Sequence, residues 1–107
     1  MRRAARTDAN HEAIVRALRK VGATAISLAA IGKGCPDVLA GFRGRNLLLE
    51  IKDGAKPPSE RKLTSDQVAF HESWAGQVVV VTSVEEAVRV VVESARPVGE
   101  SRAEVAS

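Results

Sequence analysis

The chain predicts an α/β protein in which helices flank a mixed central sheet, with elements in the order α-β-β-β-α-β-α. Three observations carry that reading. Segments near the two ends space their apolar residues at helical period behind capping residues. Four short runs of Val, Ile, Leu and Ala have the length of strands. Two of those runs are separated only by a Gly-containing turn, whereas a helix-length stretch precedes the last.

Residues 1–7, with Arg2, Arg3 and Arg6, read as a basic arm. A first helix is expected from about Ala9 to Val21, capped by Thr7 or Asp8 and ended by Gly22, with Ile14, Val15, Ala17, Leu18 and Val21 as its apolar stripe. "ATAISL" (23–28) reads as a strand and "AAIGKGCP" (29–36) as a loop. Val38–Arg43 and Asn46–Lys52 form the hairpin, and Gly44-Arg45 suits a type II′ turn. "DGAKPPSERK" (53–62) holds too much Gly and Pro for regular structure. "LTSDQVAFHESWAG" (63–76) is a helix with Thr64 as N-cap and Gln67 completing a capping box. "QVVVVTS" (77–83) reads as a strand buried on both faces, and "SVEEAVRVVVES" (83–94) as a last helix with a Ser83–Glu86 capping box. Residues 96–107 read as a disordered polar tail, which leaves one domain over residues 8–95.

With 107 residues there is room for one modest core, built from aliphatic residues because Phe42, Phe70 and Trp74 are the only aromatics. A single Cys35 excludes an internal disulfide framework and fits a reducing cytoplasm. No apolar run approaches membrane-spanning length, so no membrane role is expected. Charge is unevenly spread. Residues 1–62 carry 13 Lys/Arg against 6 Asp/Glu, a balance of +7, whereas residues 63–107 carry 3 against 7, a balance of −4. A polyanion is the natural partner of the basic half.

The hairpin holds the chemistry. Glu50 and Lys52 point to one face of their strand, Leu49 and Ile51 to the other. The Gly44-Arg45 turn pairs Arg43 with Asn46, which sets Leu39 against Glu50 and Asp37 against Lys52. Asp37 and Glu50 then become diagonal neighbours about 7–8 Å apart. Two acids so placed can share a hard divalent cation, with Lys52 beside them to orient water or steady negative charge, an arrangement suited to phosphodiester hydrolysis. The plainer alternative is a solvated sheet face with a cross-strand Asp37–Lys52 ion pair.

Pro36-Asp37, an interval of 12 residues and then Glu50-Ile51-Lys52 resemble the PD-(D/E)XK nuclease superfamily. The glycine before Pro-Asp, the basic hairpin and "KLTSDQ" ending on Gln67 are similar to its VRR-NUC branch, related in fold to archaeal Holliday junction resolvases. The resemblance covers roughly residues 8–92. It implies a restriction-endonuclease-like αβββαβα core and a Mg²⁺-dependent DNA endonuclease, with Mn²⁺ as a substitute. Branched DNA, either a Holliday junction or a flap, is the implied substrate. Asp37, Glu50 and the backbone carbonyl of Ile51 would be metal ligands, Lys52 the catalytic lysine and Gln67 a supporting polar residue. A restriction-like nuclease with another DNA substrate, or a catalytically silent DNA-binding module of the same fold, are the alternatives. A free-standing module of this size suits a phage-encoded protein working in the bacterial cytoplasm.

The superfamily usually draws a further acid from the first helix, where this chain offers His11 or Glu12. At 100° per residue from Ile14, His11 lies near 60°, beside the apolar stripe, and Glu12 near 160°, almost opposite. His11 is therefore the expected contributor. Arg2, Arg3, Arg6, Lys33, Arg43 and Arg45 are the expected DNA contacts. His71 and Trp74 share a face with Gln67; His71 reads as structural and Trp74 as core or dimer contact, while Cys35 reads as a small buried filler. A homodimer is expected, because paired nicks need two sites and because "VVVV" and Trp74 exceed what so small a core uses.

Overall fold

In the computed structural model, which describes residues 8–95, the elements follow the expected order. They are α1 (His11–Lys20), β1 (Thr24–Ser27), β2 (Val38–Phe42), β3 (Arg45–Ile51), a short 3-10 turn (Pro58–Glu60), α2 (Ser65–Ser73), β4 (Val78–Val81) and α3 (Val84–Ser94). The strands form one mixed sheet in the order β1-β2-β3-β4, antiparallel except for the parallel β3–β4 pair. No helix among the described residues is long and apolar enough to cross a membrane. The arm bearing Arg2, Arg3 and Arg6, and the tail 96–107, lie outside the described residues.

Helix α1 ends where glycine allows it. Gly22 takes φ +99°, its N–H donates to the Arg19 carbonyl and the Ala23 N–H donates to that of Leu18, which closes a Schellman motif. Its start differs from expectation. Asn10 occupies the N-cap position without capping through its side chain. Its amide donates instead to the Lys52 and Thr82 carbonyls, at 3.3 and 3.2 Å, and so fastens the helix start to the ends of β3 and β4.

One face of the sheet carries the core. Ile14, Val15 and Leu18 of α1 and Ala87 and Val91 of α3 pack on Val38, Ala40, Leu47, Leu49, Ile51 and Val81. The other face presents Leu39, Leu48 and Glu50, and only α2 lies near it, with Gln67, Phe70 and His71 half-buried. That unequal cover makes β3 the strand enclosed on both faces. β4 is an edge strand with only Val81 fully buried, a correction to the expectation for "VVVV".

The hairpin turn also differs. Arg43 (φ 52°) and Gly44 (φ 82°) are its central residues, so Phe42 pairs with Arg45 in a turn of type I′ character. The Arg43 guanidinium lies over the Phe42 ring, 5.4 Å from the centroid. Every β2 residue consequently meets a partner two positions earlier than expected, and Leu39 faces Leu48 rather than Glu50. A shift of two preserves the alternation of faces, so Asp37 and Glu50 stay on the same side.

Candidate active site

Glu50 stands one residue from the end of β3, and Asp37 one residue ahead of β2. The Asp37 N–H donates to the Leu49 carbonyl at 2.9 Å, and its Oδ2 accepts the Ile51 N–H at 2.7 Å. Asp37 is thus bound to the end of β3 instead of standing opposite Lys52, and no ion pair joins the two among the described residues. Asp37, Glu50, Ile51, Lys52 and Gln67 all line one open cavity of about 500 Å³. The Ile51 side chain is buried in the opposite, apolar layer, so its backbone is what the strand turns toward this cavity.

Helix α2 closes one wall. Thr64 Oγ1 accepts the Gln67 N–H and Gln67 Oε1 accepts the Thr64 N–H, which completes the expected capping box. The same Oε1 accepts from Lys52 Nζ at 2.9 Å, and Gln67 Nε2 donates to Glu50 Oε2 at 3.1 Å. Gln67 therefore caps its helix and bridges the acid and the lysine at once. Gly34 makes the approach possible. It holds φ +79°, and a Cβ there would collide with the Asp66 carbonyl in the first turn of α2.

Glu50 is 1% exposed. Its carboxyl is pushed up to about 8, first by burial, then by the neighbouring Asp37 and more weakly by Asp8, with Lys52 pulling the other way. Burial first, then the nearby Glu50 and Asp37, raises the Cys35 thiol, which is half-buried rather than the fully buried filler expected. Glu50 Oε1 is buried without a hydrogen-bond partner. Crowded carboxylates are what a hard divalent cation neutralises, and two carboxylates plus a backbone carbonyl suit Mg²⁺. No three His, Cys, Asp or Glu side chains among the described residues are grouped to hold a metal on their own, so such an ion would rest on this mixed donor set and on water.

The first helix does not meet the site as expected. His11 turns inward at 5% exposure and Glu12 outward, in line with the helical angles, yet neither lines the cavity. Helix α1 packs on the apolar face of the sheet, whereas Glu50 projects from the opposite face. Only the residues just ahead of α1 pass the end of the sheet, and Asp8 and Ala9 line the cavity there. Asp8 was legible only as a cap candidate, since nothing in the helical period marks a residue outside the helix. Lys56 is a second lining residue without an earlier signal, placed by an Asp53-centred turn and by Arg61, whose Nε donates to the Lys56 carbonyl. Lys33 is exposed and off the cavity wall. Arg43 and Arg45 sit at the hairpin tip, with Arg45 about 17 Å from Glu50 at the usual strand rise.

No protein-family model matches the chain, and neither does any curated protein or solved structure.

Proposed function

We propose that the chain is a divalent-metal-dependent endonuclease that hydrolyses phosphodiester bonds in DNA, with the restriction-endonuclease-like core of the VRR-NUC branch. The observation that carries this is the gathering of Asp37, Glu50, Lys52 and Gln67 on one cavity, where burial and the neighbouring Asp37 raise the Glu50 carboxyl. Asp37, Glu50 and the Ile51 carbonyl would hold Mg²⁺, or Mn²⁺ in its place. Such an ion, when bound, supplies a Lewis acid toward a phosphate oxygen and makes a water easier to deprotonate. Lys52, fixed by Gln67, steadies the negative charge that grows on the phosphate. Lys56 is exposed on the same wall without an acidic partner among the described residues, and would receive the incoming backbone. Arg43 and Arg45 would touch the duplex farther along, together with the arm.

Branched DNA is the proposed substrate and a homodimer the proposed working form. The dimer is supported by exposed Ile26, Val68 and Trp74, 55%, 38% and 46% accessible, on the α2 side of the sheet. The test is incubation of the protein with labelled junction, flap and linear duplex, with Mg²⁺ or EDTA, alongside light scattering. Mg²⁺-dependent cutting of branched DNA by a dimer is expected. Equal cutting of all three would favour a restriction-like nuclease, and binding without cutting a silent DNA-binding module.

A further inference from the structure

Helix α2 brings two polar side chains to Glu50, not one. His71 follows Gln67 by one helical turn, so both project from the same face. Gln67 Nε2 donates to Glu50 Oε2 at 3.1 Å, and His71 Nε2 stands 3.6 Å from Oε1, the other oxygen. Glu50 Oε1 and His71 Nε2 are both shielded from solvent, and neither has a hydrogen-bond partner. Native proteins rarely leave such atoms unpaired, and these two lie a few tenths of an ångström beyond bonding distance from each other. The imidazole also packs edge-on against Phe70, with ring centroids 6.5 Å apart, which limits where the ring can turn.

We propose that His71 is a positioning residue for metal binding. Its Nε2–H tautomer donates to Glu50 Oε1 and, together with Gln67 on Oε2, fixes the plane of the carboxylate that faces the cation. This rests on the metal-site reading given above. His71 does not line the cavity shared by Asp37, Glu50 and Lys52, so it acts through Glu50 rather than as a ligand. Partners that orient a ligating carboxylate typically change metal affinity by about 10- to 100-fold when removed.

The test is calorimetric titration of Mn²⁺ into the full chain without DNA, on wild type, His71→Leu, His71→Asn and His71→Gln, each checked for a folded melting transition. Gln can place an N–H near the Nε2 position, whereas Asn stops one bond short and Leu has no donor. His71→Leu and His71→Asn should bind Mn²⁺ about 10- to 100-fold more weakly, and His71→Gln close to wild type. His71→Asn still decides the matter if His71→Leu does not fold. Wild-type affinity in His71→Asn, or an equal loss in all three variants, would overturn the inference while leaving the metal site intact. A wild-type protein that binds no Mn²⁺ would overturn both.

Discussion

Replacing Glu50 with Gln should remove a pH dependence from the stability of the metal-free protein. Folding raises the Glu50 carboxyl to about 8, from an ordinary value of 4.5. Between those values the folded protein keeps a proton that the unfolded chain has lost. Its stability contribution is therefore complete at low pH and is lost as pH rises through about 8, at a limiting slope of about 1.4 kcal/mol per unit. His71 works in the opposite sense. Burial, with Lys52 nearby, lowers its basicity on folding, so it costs stability as pH falls below about 6.5. The clean window runs from about pH 6.5 to 8, where Glu50 alone should cost about 2 kcal/mol. At about 4 °C per kcal/mol, that lowers the melting temperature by about 8 °C. Thermal melts in EDTA should show that fall in wild type and a flat profile in Glu50→Gln. Mg²⁺ added near pH 8 should restore wild type and leave the variant unchanged. Parallel curves for the two proteins would refute the assignment of the raised carboxyl to Glu50.

Lys52→Ala should retain Mn²⁺ binding by calorimetry yet lose DNA cleavage, and normal turnover would remove Lys52 from the chemistry. Gly34→Ala should cost about 2–4 kcal/mol in urea denaturation, from strained positive φ and the collision with the Asp66 carbonyl, and an unchanged midpoint would contradict the close packing of that loop on α2. Deleting residues 1–6 removes Arg2, Arg3 and Arg6 and should flatten the slope of log affinity for DNA against log salt without changing the metal requirement, whereas an unchanged slope would make the arm a bystander.

The parts of the site that lie inside regular elements were legible from sequence because period and capping chemistry are local. Strand alternation put Glu50 and Lys52 on one face, and it survived a two-residue error in register because faces repeat every two residues. The Thr64–Gln67 capping box was readable in the same way. The Arg43-Gly44 turn was not, because Gly44 serves a type II′ turn at its first position as readily as a type I′ turn at its second, and the Arg43–Phe42 stacking is a contact of the folded hairpin. Ser83 and Glu86 show a similar limit. Ser83 Oγ accepts the Glu86 N–H as expected, but Glu86 Oε1 accepts from the Thr82 N–H and hydroxyl instead of returning to Ser83. Asp8 and Lys56 were hidden because they reach the cavity from irregular chain, whose path is set by the long-range bonds of Asn10 and by the Arg61 bond within the 53–61 loop. The helical angles of α1 correctly separated His11 from Glu12. They carry no information on which face of the sheet the helix covers, and that face decided the outcome.

The metal-dependent nuclease reading is decided by cleavage of one labelled branched DNA by wild type and Asp37→Asn, both folded, across a Mg²⁺ titration. The amide is a poor ligand for a hard cation but keeps an oxygen that can accept the Ile51 N–H, so fold and DNA binding should persist. Cleavage by wild type should rise with Mg²⁺ and vanish in EDTA, and Asp37→Asn should cleave at no concentration. Cleavage by Asp37→Asn at the wild-type rate, or wild-type cleavage undiminished in EDTA, would contradict that reading.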